Sequence, residues 1–148
     1  MKKIPYTPED LVNHEVVCAV IKDMNGRILV QDHVKYGFLA LPVGKAKPGQ
    51  TIIDGLKEEL FEECDIKIIE FKEIASKNYT YTRFGKKVQI HGHLFEITKY
   101  SGIIKNKEPN KHRSQEFVDL ETIKKAPFLS DMTILYLDFL GFKRKARF

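Results

Sequence analysis

The chain holds only two cysteines, Cys18 and Cys64, far apart and each embedded in an apolar pattern. Two isolated thiols make neither a zinc-binding nor a redox motif, so they read as buried, reduced side chains of an intracellular, cytoplasmic protein. No apolar run approaches the ~20 residues a membrane span requires. The opening stretch, Met1 to Asp10, has none of the continuous apolar character of a secretory leader. Internal repeats and low-complexity segments are also missing. With 43% hydrophobic and 30% charged residues, the composition is that of a globular protein with no membrane partner. At 148 residues one domain spanning 1–148 is the expected organisation, burying roughly 68–70% of the unfolded chain's surface.

One further absence is local. Between Glu58 and Glu63 no lysine or arginine interrupts the run Glu58-Glu59-Leu60-Phe61-Glu62-Glu63, so the usual i,i+4 charge pairs are missing. The spacing predicts a helix that begins at Thr51 with Asp54 as a start signature and carries Ile53, Leu56, Leu60 and Cys64 as its apolar stripe. Glu59, Glu62 and Glu63 then lie at i, i+3 and i+4 on one face. Two carboxylates ~4 Å apart repel by ~4 kcal/mol at an effective dielectric near 20. Such a face takes up protons or collects a cation, and hard oxygen ligands suit Mg²⁺ or Mn²⁺. A solvated acidic face is the commoner fate of clustered glutamates. Here, however, the basic turn Lys45-Ala46-Lys47-Pro48-Gly49 precedes the helix and suits phosphate.

Gly44, Gln50, Glu58, Glu59, Leu60, Glu62, Glu63, Asp65 and Ile66 fall on the spacing of a longer pattern. The segment resembles the signature of the Nudix hydrolase family: glycine, five residues, glutamate, seven residues, then Arg-Glu-apolar-x-Glu-Glu-x-Gly-apolar. Leu41-Pro42-Val43-Gly44-Lys45 is similar to the family's Leu-Pro-Gly-Gly-Lys lead-in. Three positions depart from it. Gln50 stands for the first glutamate, Glu58 for the arginine that helps orient the metal-binding acids, and Asp65 for the closing glycine. Asp tolerates the left-handed conformation expected there. Lys57, Lys45 and Lys47 are the candidates for the missing positive charge.

The resemblance implies an α/β/α sandwich with a mixed β-sheet and a Mg²⁺- or Mn²⁺-dependent pyrophosphohydrolase. Its substrate would be a nucleoside diphosphate linked to another moiety, with (d)NTPs the first expectation. It implies Glu59, Glu62 and Glu63 as catalytic metal ligands, any of which leaves open whether Glu59 or Glu63 handles the water. The backbone carbonyl near Val43 or Gly44 would complete the shell. Glu116, in Gln115-Glu116-Phe117-Val118-Asp119-Leu120, is the expected second acid. Lys45, Tyr81, Phe84, Phe128 and Asp131 are the substrate-binding candidates, with Tyr79 as a further stacking ring.

Elsewhere, residues 16–22 and 27–31 read as paired strands around the turn at 23–26. Residues 38–41 read as a short strand, and 67–78 and 87–99 as two long ones joined by a hairpin. A strand at 116–119 and helices at 121–125 and 131–140 complete the pattern. His91 and His93 alternate onto one face of a strand, a spacing fit for metal, but no acid or cysteine lies beside them in sequence. They therefore read as simple strand residues.

The net charge of +5 lies mainly outside the acidic helix and favours anionic partners, nucleotides first and RNA second. The basic tail from Lys143 to Phe148 reads as a solvated terminus before it reads as an RNA-binding patch. Two alternatives follow from these features. The altered box also suits a weakly catalytic nucleotide-binding or sensing module, and the basic surface suits removal of diphosphate or cap from RNA ends.

Overall fold

Alternation along Val17 to Ile21 decides the architecture. Val17, Ala19 and Ile21 enter one apolar cluster, while Cys18 and Val20 enter another on the opposite face. A strand buried on both faces must lie inside a sheet covered on both sides. The computed structural model describes residues 13–34, 37–83 and 85–142, with the backbone alone for 13, 14, 81–83, 86 and 88.

The element order is β1 (Asn13–Ile21), β2 (Ile28–His33), β3 (Leu39–Ala40), β4 (Val43–Lys45), α1 (Ile52–Cys64), β5 (Lys67–Arg83), β6 (Lys86–Ser101), β7 (His112–Val118), α2 (Leu120–Lys125) and α3 (Asp131–Phe139). A four-stranded sheet runs β4-β1-β6-β5 and a three-stranded sheet runs β3-β2-β7. The first is mixed, because β1 and β6 are parallel while β4 and β5 pair antiparallel to their neighbours. Leu56, Leu60 and Cys64 of α1 cover one side. Met132, Leu135 and Tyr136 of α3 cover the other. The result is the expected α/β/α sandwich.

One pairing differs from the sequence expectation. The turn after β1 forms as anticipated, with Asp23 Oδ1 accepting from the backbone N–H of Asn25 and Arg27, both at 2.9 Å. Yet β2 does not become the partner of β1. Both edges of β1 are occupied by β4 and β6, so β2 crosses to the other sheet after the isolated bridge Lys22–Ile28. The long hairpin of β5 and β6 forms as expected and extends further at both ends. Among the described residues, no helix is long and apolar enough to cross a membrane.

Candidate functional site

Helix α1 is fixed at both ends by its own sequence. Thr51 Oγ1 accepts the N–H of Asp54 at 3.1 Å. At the far end Asp65 takes the left-handed conformation, φ 61°, and donates its N–H to the Phe61 carbonyl at 3.2 Å. Between these caps, burial of Leu56, Leu60 and Cys64 sets the helix rotation and turns Glu59 and Glu63 towards β4 and β2. Gly55 allows a close approach, since a Cβ there would lie 2.9 Å from Ala46 Cα.

Gly44 has a more direct role. A Cβ at this position would sit 2.2 Å from Cγ and Cδ of Glu59, so only glycine lets that carboxyl lie against the β4 backbone. Glu63 is wholly buried. Gln31 Nε2 donates to its Oε1 at 3.1 Å, and its Oε2 has no hydrogen-bond partner. Lys111 Nζ stands 3.7 Å from that second oxygen. Burial pushes the Glu63 carboxyl up to about 8, against the pull of Lys111 and with added repulsion from Glu59. Glu59 is also raised, chiefly by burial, with its hydrogen bond to Glu63 opposing the shift.

A wholly buried acid with an unsatisfied oxygen, beside a half-buried one cradled by a glycine, fits a hard divalent cation in donor chemistry. The pair is Glu59 and Glu63. Glu62 is exposed, and the three carboxylates do not converge within 4.8 Å of one another.

Strand β7 carries a one-residue surprise. Its register sets Gln115 opposite Gln31 and Glu116 opposite Val30. Alternation then points Gln115 at the acids, where its Oε1 accepts from Gln31 Nε2 at 2.8 Å and from Cys64 Sγ at 3.5 Å. Glu116 lies exposed on the other face, so the structure does not bring the expected second acid to Glu59 and Glu63. Beyond burial and Glu62, a further acid, Glu108, adds to the rise at Glu59. It lies in the segment whose Lys105 and Lys107 N–H groups cap the Cys64 and Glu63 carbonyls. Gln31, Glu108, Lys111 and Gln115 were all missed from sequence. The only available signal was the Gln115-Glu116 motif, read one residue out of phase.

The changed box positions form a set of their own. Glu58 bonds Lys47 Nζ through Oε1 and accepts from Gln50 Nε2 at 2.5 Å through Oε2. Those contacts hold the Glu58 carboxyl below its ordinary range, Lys47 first and Gln50 second. Of the three lysines considered, Lys47 supplies the counter-charge.

The substrate candidates divide. Tyr79 and Asp131 line a cleft of about 140 Å³ with Val16, Val43, Ile90, Ser130 and Met132, and Tyr79 Oη donates to the Asp131 carbonyl at 3.3 Å. Lys45 is half-buried two residues beyond Val43 on the same strand, and so shares its face. Phe128 is exposed and does not line the cleft. The Tyr81 side chain and all of Phe84 lie outside the described residues, as does the basic tail from 143 onward. His91 and His93 do have acid neighbours, contrary to the sequence reading, because the parallel register sets Glu15 opposite His91.

With this geometry in place, comparison with known proteins is direct. The profile of the NUDIX domain matches residues 12–139. The chain belongs to the Nudix family, and as a class it is a Nudix hydrolase. Among solved structures it is similar to a MutT NUDIX hydrolase from Burkholderia pseudomallei, with 19% identity and a TM-score of 0.73, covering 86% of this chain and 98% of that one. The solution structure of the E. coli ORF135 protein aligns at 23% identity and TM-score 0.72, over 90% and 91% of the two chains. The NUDIX domain of Shewanella oneidensis NrtR, solved with ADP ribose, aligns at 10% identity and TM-score 0.70, over 93% and 92%. At these identities the likeness establishes the fold. No curated protein sequence matches the chain.

Proposed function

We propose that this protein is a divalent-metal-dependent pyrophosphohydrolase that cleaves a nucleoside diphosphate linked to another moiety, with (d)NTPs as the substrate class. The observation that carries the reading is the pair Glu59 and Glu63: the Glu63 carboxyl is wholly buried with one oxygen lacking a hydrogen-bond partner, and the half-buried Glu59 carboxyl rests against Gly44. Glu59, Glu63 and the more exposed Glu62 would hold Mg²⁺ or Mn²⁺, with the Gly44 carbonyl beside them. When bound, the metal neutralises pyrophosphate charge and lowers the pKa of a bound water.

The remaining work falls to the chain itself. Lys111, 3.7 Å from Glu63, would contact phosphate oxygens, and Lys45, on the Val43 side of β4, would contact the substrate nearer the cleft. Gln31 holds Glu63 in one orientation, and either Glu59 or Glu63 would accept the proton of the attacking water. Val43 and Gly44 are consecutive on β4, an edge strand. Val43 faces the cleft that holds Tyr79 and Asp131, and Gly44 faces the acids. A nucleotide laid across that edge would place its base in the cleft and its phosphates against α1. The Asp131 carboxylate and the Tyr79 ring would then read the base edge and face.

The test is phosphate or pyrophosphate release from a nucleotide panel with Mg²⁺, comparing wild type with Glu62→Gln and Glu63→Gln. Both variants should lose more than the ~10–100-fold that changes around a metal's ligands cost. Equal turnover in all three proteins would refute the assignment.

A further inference from the structure

Away from the acids of α1, three strands bring together a second set of metal-competent side chains. Glu15 of β1 faces His91 and His93 of β6, with Glu15 Oε2 at 3.2 Å from His91 Nδ1 and 2.7 Å from His93 Nε2. The two rings stand 4.2 Å apart between centroids, tilted at 58°. One ligand atom from each residue lies within 4.8 Å of the other two. Among the described residues this is the one group of three metal-ligating side chains that does so. It is separate from the acid pair, which abuts Gly44 of β4 and Gln31 of β2.

The fourth member of the cluster explains why this is more than a buried ion pair. Glu73 Oε2 lies 3.0 Å from Nδ1 of His93. A carboxylate on one ring nitrogen fixes the proton there and turns the lone pair of the other towards a metal, the arrangement that orients most histidine ligands. Here the freed nitrogen is Nε2, the atom that faces Glu15. Glu73 reaches this face only because β5 carries a bulge between Glu73 and Ala75, which shifts its register on β6. Without it, Ile74 would face the histidines in regular alternation.

We infer that Glu15, His91 and His93 form a second metal site for a borderline first-row divalent ion, Zn²⁺ in the first instance, with Glu73 as the residue that orients His93. Two imidazoles and one carboxylate select such an ion over Mg²⁺, which takes oxygen ligands. Glu15 and His91 are partly exposed and line a cleft of about 340 Å³ with Asn78, Thr80 and Gln89. The ion therefore has a path of entry and room for further ligands. Bound there, it ties β1, β6 and β5 together. This site does not depend on the pyrophosphohydrolase reading.

The test uses Co²⁺ as a visible reporter and Zn²⁺ in calorimetry, on metal-stripped full-length protein at neutral to mildly alkaline pH and in excess Mg²⁺. Wild type should bind one Co²⁺ or Zn²⁺, show ligand-field absorption in the visible, and unfold at higher temperature with Zn²⁺ present. Glu62→Gln should bind the same amount. His91→Ala and Glu15→Gln, both at partly exposed positions, should lose the signal while remaining folded. Glu73→Gln should weaken binding about 10–100-fold. Undiminished binding in His91→Ala, binding abolished by Glu62→Gln, or no binding in wild type would each overturn the site.

Discussion

Lys47 is bonded to Glu58, the acid that stands where the family's signature has an arginine. Gln50, at the signature's first glutamate, bonds the same carboxyl. The change at 58 therefore does not add an uncompensated fourth charge to α1. Lys47 also lies within electrostatic reach of Glu62 and Glu59, so it can take over the arginine's orienting influence from outside the helix. Lys47→Met is expected to lower turnover by about 10–100-fold and to raise the Mg²⁺ concentration needed for half-maximal rate. Restoring the family's charges with Gln50→Glu and Glu58→Arg together should recover the rate in the Lys47→Met background. An unchanged Mg²⁺ dependence in Lys47→Met would show that the lysine is only a surface partner of Glu58.

Gly44 separates geometry from stability. Gly44→Ala puts a methyl group where the Glu59 carboxyl rests, and a side chain can rotate away more readily than a strand can move. Turnover should fall about 10–100-fold while circular dichroism stays native. Wild-type rates in this variant would mean that the observed Glu59 position is not the working one.

Glu63 carries a buried carboxyl that its partners compensate only in part. Its buried carboxyl gains little from Gln31 alone, and glutamine at 63 keeps the shape without the ionisable group. In buffer free of divalent metal, Glu63→Gln should be stabilised by ~1–2 kcal/mol, seen as a melting temperature a few degrees higher. The same variant should be inactive. A lower melting temperature would place the acid's main role in the core.

His112 sets an acid limit. The residue is buried, its ring 5.3 Å from that of His33. Burial, with Lys111 and His33 nearby, lowers its pKa from 6.5 to about 4. Between those values the unfolded chain binds a proton that the folded chain refuses, so stability is present above pH 6.5 and is lost as pH falls towards 4. Urea midpoints measured across that window should drop for wild type and drop less for His112→Phe. Parallel losses would assign the acid sensitivity to other groups.

How much of this was legible in the sequence depends on range. The caps of α1, its apolar stripe and the long hairpin were readable because each rests on neighbours a few residues away. Partners across the fold were not. The departure of β2 to a second sheet follows from competition for the edges of β1, which no local pattern encodes. The placing of Gln115 rather than Glu116 at the acids is a matter of strand phase, where one residue exchanges the two faces. His91 and His93 looked unpartnered because Glu15 lies far away in sequence and Glu73 needs a bulge to reach them. In each case the residue types were visible and the register was not.

The central claim is that Glu59 and Glu63 hold a catalytic divalent cation. Crystals grown with Mn²⁺ and a non-hydrolysable nucleoside triphosphate, with diffraction recorded at the manganese edge, address it most directly. The account predicts an anomalous peak within coordination distance of both carboxyls, in contact with the phosphates and lost in Glu63→Gln. A well-ordered nucleotide with no manganese peak beside α1 would contradict it.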